Sequence, residues 1–527
     1  MPLSRRRLLQ TGLLAALPWP AAGAPEPVRG GQLVVGTYPE PTSLTASLTT
    51  DGAAQLVSGK IFDGLLSYDA ALNPKPELAL SWSVGADGLS IAFALRPGVT
   101  WHDGTPFTSA DVAYSLTEIW QKFHSRGRST FANVVAAETP DPLTVVWKLS
   151  RPAPYLLSAL ASTESQIVPK HLYAGTDVLT NPYNAAPIGT GPFRFVKWER
   201  GSYVALERNP EYWDQPKPYL DRLVLRFIAD PALQSIALEN GEIQLSGVVA
   251  ANDISRLAGN KNLRIDPASA TAFGYSGLLF NLDRPCFADI RVRRAFAHAI
   301  DTEFIREKIY YGRGQVETGP IPPSLAAFYT PDVQHYEFDL DKATALLDEA
   351  GLRQDADGTR LSIVFVPQVT TDAAARTAEY IRFTLGRIGI RLAVQQQDFA
   401  AFIRRIYMLR DFDLSTYGGQ AGPDPAIGTQ RIYWSKNFQP GVAFSNGAHY
   451  VSAETDRLLE AAQTELDPAL RRDLYFRFQR QVQTDLPLIP LVSPEAPIVV
   501  DRRLQQYRIN ADSLLGNFAE ASFVSTS

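Results

Sequence analysis

The sequence contains one cysteine, Cys286, among its 527 residues, so an internal disulfide is excluded. Cys286 also lies far from the N-terminus, and no cysteine is available there for lipid attachment. We therefore expect a protein that is not a lipoprotein, with a buried and inert thiol at Cys286.

Histidine and concentrated charge are scarce as well. The six histidines are scattered without metal-ligand spacing, and the formal net charge is −5 without long blocks of one sign. The sequence has no Gly-x-Ser-x-Gly, His-Glu-x-x-His, Walker or Gly-x-Gly-x-x-Gly motif. We therefore expect no enzyme activity, no cofactor, no metal site and no nucleic-acid partner.

Long hydrophobic runs are missing, and the one apolar stretch near the start is short. Arginines at positions 5–7 precede an apolar segment at 8–17 and small residues at 21–24. This order predicts a signal peptide over residues 1–24, and the paired arginines are typical of a twin-arginine export signal. A short membrane anchor is the alternative, but the segment falls below the ~20 residues that span a bilayer. We expect a soluble, periplasmic product.

Removing 24 residues leaves 503, too many for one hydrophobic core, and strand and helix patterns alternate along them. Apolar residues alternate in 90–95, which predicts a strand, and Thr108 with Asp111 predicts a capped helix start. Helical spacing runs through 289–311, and further helices begin near Asp339 and at Asp467-Pro468. The chain is predicted to be mixed α/β.

Several multi-residue blocks occur in an order that resembles the family 5 extracellular solute-binding proteins of ABC importers. The blocks are Leu95-Arg96-Pro97-Gly98-Val99, His102-Asp103-Gly104-Thr105-Pro106-Phe107, Gly189-Thr190-Gly191-Pro192-Phe193, Asn209-Pro210-Glu211-Tyr212-Trp213, Asp289-Ile290-Arg291-Val292-Arg293-Arg294-Ala295 and Gly319-Pro320-Ile321-Pro322. His102 beside Asp103 could be an active-site pair, but a tight Asp-Gly turn explains the same residues and is favoured.

The resemblance implies an α/β, periplasmic-binding-protein-like class II fold with two lobes, an interlobe cleft and an extra inserted domain. Lobe I is expected to combine residues 25–64, 186–269 and 487–527. The inserted domain is expected over 65–185 and lobe II over 270–486. Such a protein closes around its ligand by a hinge motion.

Candidate ligand contacts lie in loops that are expected to face the cleft. Tyr38 and Thr42 follow the first predicted strand, where α/β sheets present ligands. In lobe II, the loop from Tyr417 to Pro425 resembles the loop that carries a ligand-clamping aspartate in peptide-binding relatives. Here Asp424 matches its acidic-proline step, but Gln420 and Ala421 stand where the clamping aspartate is expected. A free-amine peptide then loses a charge-assisted hydrogen bond of ~1.5–3 kcal/mol unless another carboxylate replaces it.

Downstream, Arg431, Trp434, Phe444 and Asn446 combine a cation, stacking surfaces and an amide. Such a cleft could hold a modified peptide, an opine-like conjugate or a glycoside, with Arg431 on a carboxylate or phosphate. Packing of Trp434 beneath the loop is the alternative.

The resemblance implies a monomeric receptor that captures a peptide-like or related solute and delivers it to an inner-membrane ABC permease. The alternative is a protein of the same fold used for solute sensing or for capture of a chelated metal such as nickel.

Overall fold

The computed structural model describes residues 27–267, 274–369, 371–494, 497–508 and 510–524, with the backbone alone at positions 400 and 420. The predicted signal peptide over 1–24 therefore lies outside the described residues. No helix in these ranges is long and apolar enough to cross a membrane.

The first lobe is built on a seven-stranded sheet to which three separate parts of the chain contribute. In spatial order its strands are Leu263–Asp266, Ile498–Asp501, Leu245–Ser246, Gln32–Thr37, Arg222–Phe227, Tyr203–Arg208 and Phe193–Glu199. Gln32–Thr37 runs parallel to both of its neighbours, and its Leu33 and Val35 are buried in the core. Longer helices of this part are Gly52–Ile61, Pro231–Glu239 and Ile254–Ala258.

The inserted domain contains a four-stranded antiparallel sheet. Its strands, in spatial order, are Ala79–Val84, Ser90–Leu95, Thr144–Leu149 and Val134–Asp141. The predicted strand over 90–95 is confirmed, since its alternate apolar side chains are buried. The predicted helix start is also confirmed, because the Thr108 backbone N–H donates to Asp111 Oδ2 at 2.9 Å. Short helices here are Ser109–Tyr114, Gly127–Thr130 and Lys170–Tyr173, the first continuing as a π-helical turn over Ser115–Trp120.

The second lobe is built on a five-stranded mixed sheet. Its strands, in spatial order, are Ile390–Val394, Leu361–Val366, Leu414–Gln420, Gly274–Phe280 and Leu488–Pro490. Its helices are Ile290–His298, Thr302–Phe304, Leu340–Glu349, Asp372–Gly386, Phe399–Ile403, Gln430–Tyr433, Ala453–Thr464 and Pro468–Asp485. The helix starts near Asp339 and at Asp467 are confirmed, since both aspartates cap their helices.

The second lobe extends further along the chain than the expected boundary at residue 486. Leu488–Pro490 pairs with Gly274–Phe280, and Val492–Ser493 pairs with Gln315–Val316. Leu488 and Ile489 are buried there, and this burial stabilises the pairing with the second-lobe sheet. The chain rejoins the first sheet with the strand that begins at Ile498.

The prediction of one continuous helix over 289–311 is wrong. The structure has Ile290–His298 and then Thr302–Phe304, which continues as a π-helical turn over Ile305–Ile309. Asp301 separates them because its carboxylate accepts a hydrogen bond from the Phe304 backbone N–H at 2.9 Å and so starts a new helix.

The remaining paired strands form two short antiparallel pairs. Leu66–Tyr68 pairs with Pro74–Pro76, and Leu504–Gln505 pairs with Ser522–Phe523 near the C-terminus. Between the second pair, residues 510–518 pack on the helix Gly52–Ile61 and bring the C-terminal segment to the cleft.

Candidate ligand-binding site

A cavity of about 480 Å³ lies between the two lobes. The first lobe and the inserted domain supply one wall, the second lobe supplies the other, and the C-terminal segment completes it. The lining residues with polar or aromatic side chains are Thr50, Gln55, Tyr68, Arg126, Ser158, Thr163, Glu164, Tyr417, Arg431, Phe444, Asp512 and Ser513. This volume lies within the ~300–1,000 Å³ that is usual for small-molecule sites.

Arg431 gives the second-lobe wall a positive charge that no acidic side chain neutralises. Its guanidinium donates one long hydrogen bond of 3.4 Å to the Ala443 carbonyl, and no carboxylate oxygen in the described ranges lies within 4.0 Å. Burial and the nearby charge of Arg126 both lower the pKa of Arg431. Among the described residues, the guanidinium therefore keeps most of its N–H donors without a partner beside the cavity.

Arg126, on the opposite wall, is already paired. Its Nη2 forms a close ion pair with Glu164 Oε1, and both side chains are largely buried. Arg126, Glu164 and Arg431 all line the cavity. Because Glu164 neutralises Arg126, the net positive charge of these three side chains lies on Arg431.

Asp512 supplies a carboxylate from the C-terminal segment. Thr163 Oγ1 donates to Asp512 Oδ1 at 3.0 Å, and no Lys, Arg or His nitrogen in the described ranges lies within 4.0 Å of the carboxylate. Burial raises the pKa of Asp512 to about 6, partly offset by the Thr163 hydrogen bond. Asp512 is thus a second charged group in the wall that lacks an ion-pair partner.

Lys60 fixes the segment that carries Asp512. Its ammonium donates to the Leu514 carbonyl at 2.5 Å and lies 4.1 Å from the centre of the Phe518 ring. Burial lowers the pKa of Lys60, and the charge of Asp512 opposes that shift. At Gly59 the backbone of the helix Gly52–Ile61 lies so close to this segment that an added Cβ would lie 1.9 Å from the Leu515 carbonyl oxygen.

Aromatic rings cover part of the second-lobe wall. The ring centres of Tyr417 and Phe444 are 6.2 Å apart, and Tyr407 lies behind them, 5.7 Å from Phe444. Phe444 has a left-handed backbone with φ of 56°, which is uncommon for a residue of this size. The strain is located where the ring meets the cavity.

Of the nine predicted contacts, Tyr417, Arg431 and Phe444 line this cavity together. Asp424 does not line it. The Asp424 carboxylate is 1% exposed and bidentate with Arg471, at 2.7 Å to Nη1 and 2.8 Å to Nη2. Its neighbours Gly422 and Pro423 line the cavity instead.

The other predicted contacts also lie away from the cavity lining. Tyr38 and Thr42 are exposed at the end of the first strand. Trp434 Nε1 donates to Glu460 at 2.9 Å. Asn446 is fully buried and exchanges hydrogen bonds with the Tyr450 backbone. The side chain of Gln420 lies outside the described part of the chain.

Sequence reasoning missed Arg126, Thr163, Glu164 and Asp512. None of them belongs to a motif, and they come together only because residues far apart in the chain meet in the fold. The Arg-rich segment 126–128 was the one local signal that could have drawn attention.

His102 has the structural role that the sequence analysis favours. Its Nε2 lies 3.0 Å from the Gly191 carbonyl, and the Gly189 N–H donates to Nδ1 at 3.3 Å. Burial lowers the pKa of His102 to about 4, so the ring is neutral. Asp103 contacts His171 instead, at 2.7 Å. Within the described ranges, no group of three or more His, Cys, Asp or Glu residues could hold a metal ion.

Comparison with known proteins agrees with this architecture. Residues 73–441 match the model of the bacterial extracellular solute-binding proteins, family 5. A provisionally named ABC transporter peptide-binding protein of Brucella ovis is 31% identical over 90% of this chain and 88% of its own. The oligopeptide-binding protein AppA of Bacillus subtilis is 28% identical over 92% of this chain and 90% of its own.

Solved structures are similar over nearly the whole chain. AppA of Bacillus subtilis, in complex with a nonapeptide, superposes with a TM-score of 0.82 at 27% identity and covers 95% of this chain and 100% of its own. The periplasmic binding protein AgaA, in complex with agropinic acid from Agrobacterium tumefaciens R10, has a TM-score of 0.80 at 26% identity over 94% and 99%. The chain therefore belongs to the family 5 bacterial extracellular solute-binding proteins.

Proposed function

We propose that this protein is the exported receptor of an ABC importer and that it binds a short, peptide-like solute carrying a carboxylate and an amine. One observation carries this proposal: Arg431 and Asp512, two titratable side chains without an ion-pair partner within 4.0 Å among the described residues, line the same cavity from different lobes.

The carboxylate of the solute binds Arg431. A guanidinium has five N–H donors in a planar fork that matches a carboxylate, and Arg431 uses one of them in a long contact. A charge-assisted hydrogen bond of this kind contributes ~1.5–3 kcal/mol. Nearby Arg126 is already neutralised by its ion pair with Glu164, so Arg431 attracts an anion more strongly than Arg126 does.

The amine of the solute binds Asp512. The second-lobe loop has Gln420 and Ala421 where an aspartate is expected, and Asp512 supplies a carboxylate from the C-terminal segment in its place. Tyr417 and Phe444 offer ring faces for apolar parts of the solute.

The cavity size favours a short solute. Its volume of about 480 Å³ lies in the lower half of the range for small-molecule sites. Proteins similar to this chain carry names or titles that refer to an oligopeptide, to glutathione and to agropinic acid, which supports a peptide or a peptide-derived conjugate.

The receptor acts in the periplasm after export by its twin-arginine-like signal, as a monomer, and delivers the solute to an inner-membrane permease. The receptor itself forms and breaks no covalent bond in this role.

Native mass spectrometry of the protein purified from its export compartment tests the proposal. We expect one small molecule per protein, with a carboxylate and an amine. Arg431→Gln is expected to lose this molecule, whereas Arg457→Gln, which alters an exposed second-lobe arginine, should retain it. A bound solute without an anionic group, or full retention by Arg431→Gln, would contradict the proposal.

A further inference from the structure

A second cavity of about 340 Å³ lies within the second lobe and shares no lining residue with the interlobe cavity. Its walls come from the strand Gln315–Val316 and the residues after it, the segment 334–337, and the end of the helix Pro468–Asp485. It is therefore separate from the proposed solute site.

Glu317 places a buried carboxyl group in this wall. The residue is 4% exposed, and its Oε2 has no hydrogen-bond partner among the described residues. No Lys, Arg or His nitrogen in those residues lies within 4.0 Å of it. Burial raises the pKa of Glu317 to about 7, and a hydrogen bond with the Ser493 side chain opposes the shift. A buried carboxyl oxygen without a hydrogen-bond partner is costly, so Oε2 needs a physical explanation.

Gln483 adds an unpaired donor to the same wall. It is 2% exposed, and its Nε2 has no acceptor in the described ranges. The backbone carbonyl of Gln483 accepts from Tyr336 Oη at 2.8 Å, which holds this part of the helix in place. Among the described residues that line the cavity, Glu317 Oε2 and Gln483 Nε2 are thus a buried acceptor and a buried donor without partners.

Apolar and polar side chains share the rest of the surface. The apolar ones are Ala297, Ile300, Val316, Ile489 and Pro490, the polar ones are Thr302, Thr318, Gln334, His335 and Glu337, and the lining contains no lysine or arginine. A ligand that carries a carboxylate would meet two carboxyl groups, Glu317 and Glu337, and the ring Nε2 of His335 is already engaged with the Pro331 carbonyl at 3.0 Å. The lining therefore favours a ligand that has an ammonium group and an uncharged oxygen atom in place of a carboxylate.

We propose that this cavity is a second binding site, which takes a small organic amine with a neighbouring amide or hydroxyl oxygen. The ammonium group donates to the Glu317 carboxylate, the oxygen accepts from Gln483 Nε2, and a short hydrocarbon part packs on the apolar wall. Bound ligand thereby satisfies both unpaired groups.

The test uses L-leucinamide as the probe, with the full mature protein and ligand-observed NMR titration at pH 8. L-Leucine replaces the carboxamide with a carboxylate on the same skeleton, and 4-methylpentanamide lacks the amine. We expect saturable binding of L-leucinamide with one site per protein, and at least tenfold weaker binding of both analogues, as a charge-assisted hydrogen bond of ~1.5–3 kcal/mol implies.

Variants then locate the site. Glu317→Gln keeps the shape of the side chain and is expected to weaken L-leucinamide binding at least tenfold, and Gln483→Met is expected to weaken it by about threefold to tenfold. Glu303→Gln, an exposed carboxylate outside the cavity, serves as the matched control and should bind normally. Circular dichroism checks that each variant is folded, and Gln483→Met carries the test if Glu317→Gln does not fold.

Three outcomes overturn the proposal. The first is no saturable binding of L-leucinamide, which means that water alone satisfies the two groups. The second is unchanged binding in both cavity variants. The third is loss of binding in Asp512→Asn with normal binding in Glu317→Gln, which would locate the amine in the interlobe cavity.

Discussion

Asp424→Asn should destabilise the second lobe strongly while removing no direct contact with solute. Asp424 is 1% exposed, and both of its oxygens accept from Arg471, at 2.7 and 2.8 Å. Burial alone would lower the pKa of Arg471, but the Asp424 carboxylate holds it above the usual value. The substitution leaves a buried guanidinium without its counter-charge, which costs about 3–5 kcal/mol.

For a unit of about 220 residues, this loss corresponds to a fall of about 6–20 °C in unfolding temperature. Differential scanning calorimetry of the mature protein measures it. Glu454→Gln is the control, because it breaks an exposed ion pair with Arg457 of the same length, 2.7 Å, and should cost at most about 1 kcal/mol.

A double variant separates the ion pair from other effects. Asp424→Leu with Arg471→Met leaves no unpaired charge, so it should recover much of the stability that either single substitution loses. The reasoning fails if Asp424→Asn keeps its unfolding temperature but loses solute affinity. That result would make Asp424 the ligand contact that the sequence suggests.

Three further changes test other parts of the structure. Arg431→Gln should weaken solute affinity by about tenfold to a hundredfold in calorimetric titration with little change in unfolding temperature, and unchanged affinity would remove Arg431 from the site. Gly59→Ala should lower both stability and affinity, because its Cβ would meet the Leu515 carbonyl at 1.9 Å; Gly386→Ala, with no atom within 4 Å, is the control, and equal behaviour of the two would refute the argument. Burial raises the pKa of Asp63 and of Asp512 to about 6, so each favours the native state below pH ~4 and loses that contribution as the pH rises through 6. Thermal unfolding should therefore show a gain on acidification from pH 8 to 5 that shrinks in Asp63→Asn, and an unchanged pH profile in this variant would contradict the assignment.

Local sequence patterns predicted individual helices and strands well where neighbouring residues alone determine the element. The strand over 90–95 and the helix caps at Asp339 and Asp467 depend on neighbouring residues alone. The prediction of a continuous helix over 289–311 was wrong because the apolar spacing continues past Asp301. Only the hydrogen bond from the Phe304 backbone N–H to Asp301 shows that a new helix begins there.

The site was predictable only in part, because the residues of one wall are close in sequence and those of the other wall are far apart in sequence. Tyr417, Arg431 and Phe444 lie within 28 positions of one another, on the strand Leu414–Gln420, on the helix Gln430–Tyr433 and in the segment after that helix. Asp512 and Thr163 are 349 positions apart and meet only in the folded chain. Asp424 looks the same in sequence whether it binds solute or Arg471, and this arginine lies 47 residues later, on the helix Pro468–Asp485.

The C-terminal return of the chain explains how an interlobe site can select a solute with two charges. The chain leaves the second lobe after Ser493 and rejoins the first sheet at Ile498, so Asp512 belongs to the first lobe while Arg431 belongs to the second. On the proposed arrangement, a solute with one charge satisfies one lobe and leaves the other charged group unpaired. A solute with both charges spans the cavity, and its two hydrogen bonds oppose the cost of ordering the lobes around it. Selectivity and closure then depend on the same pair of contacts.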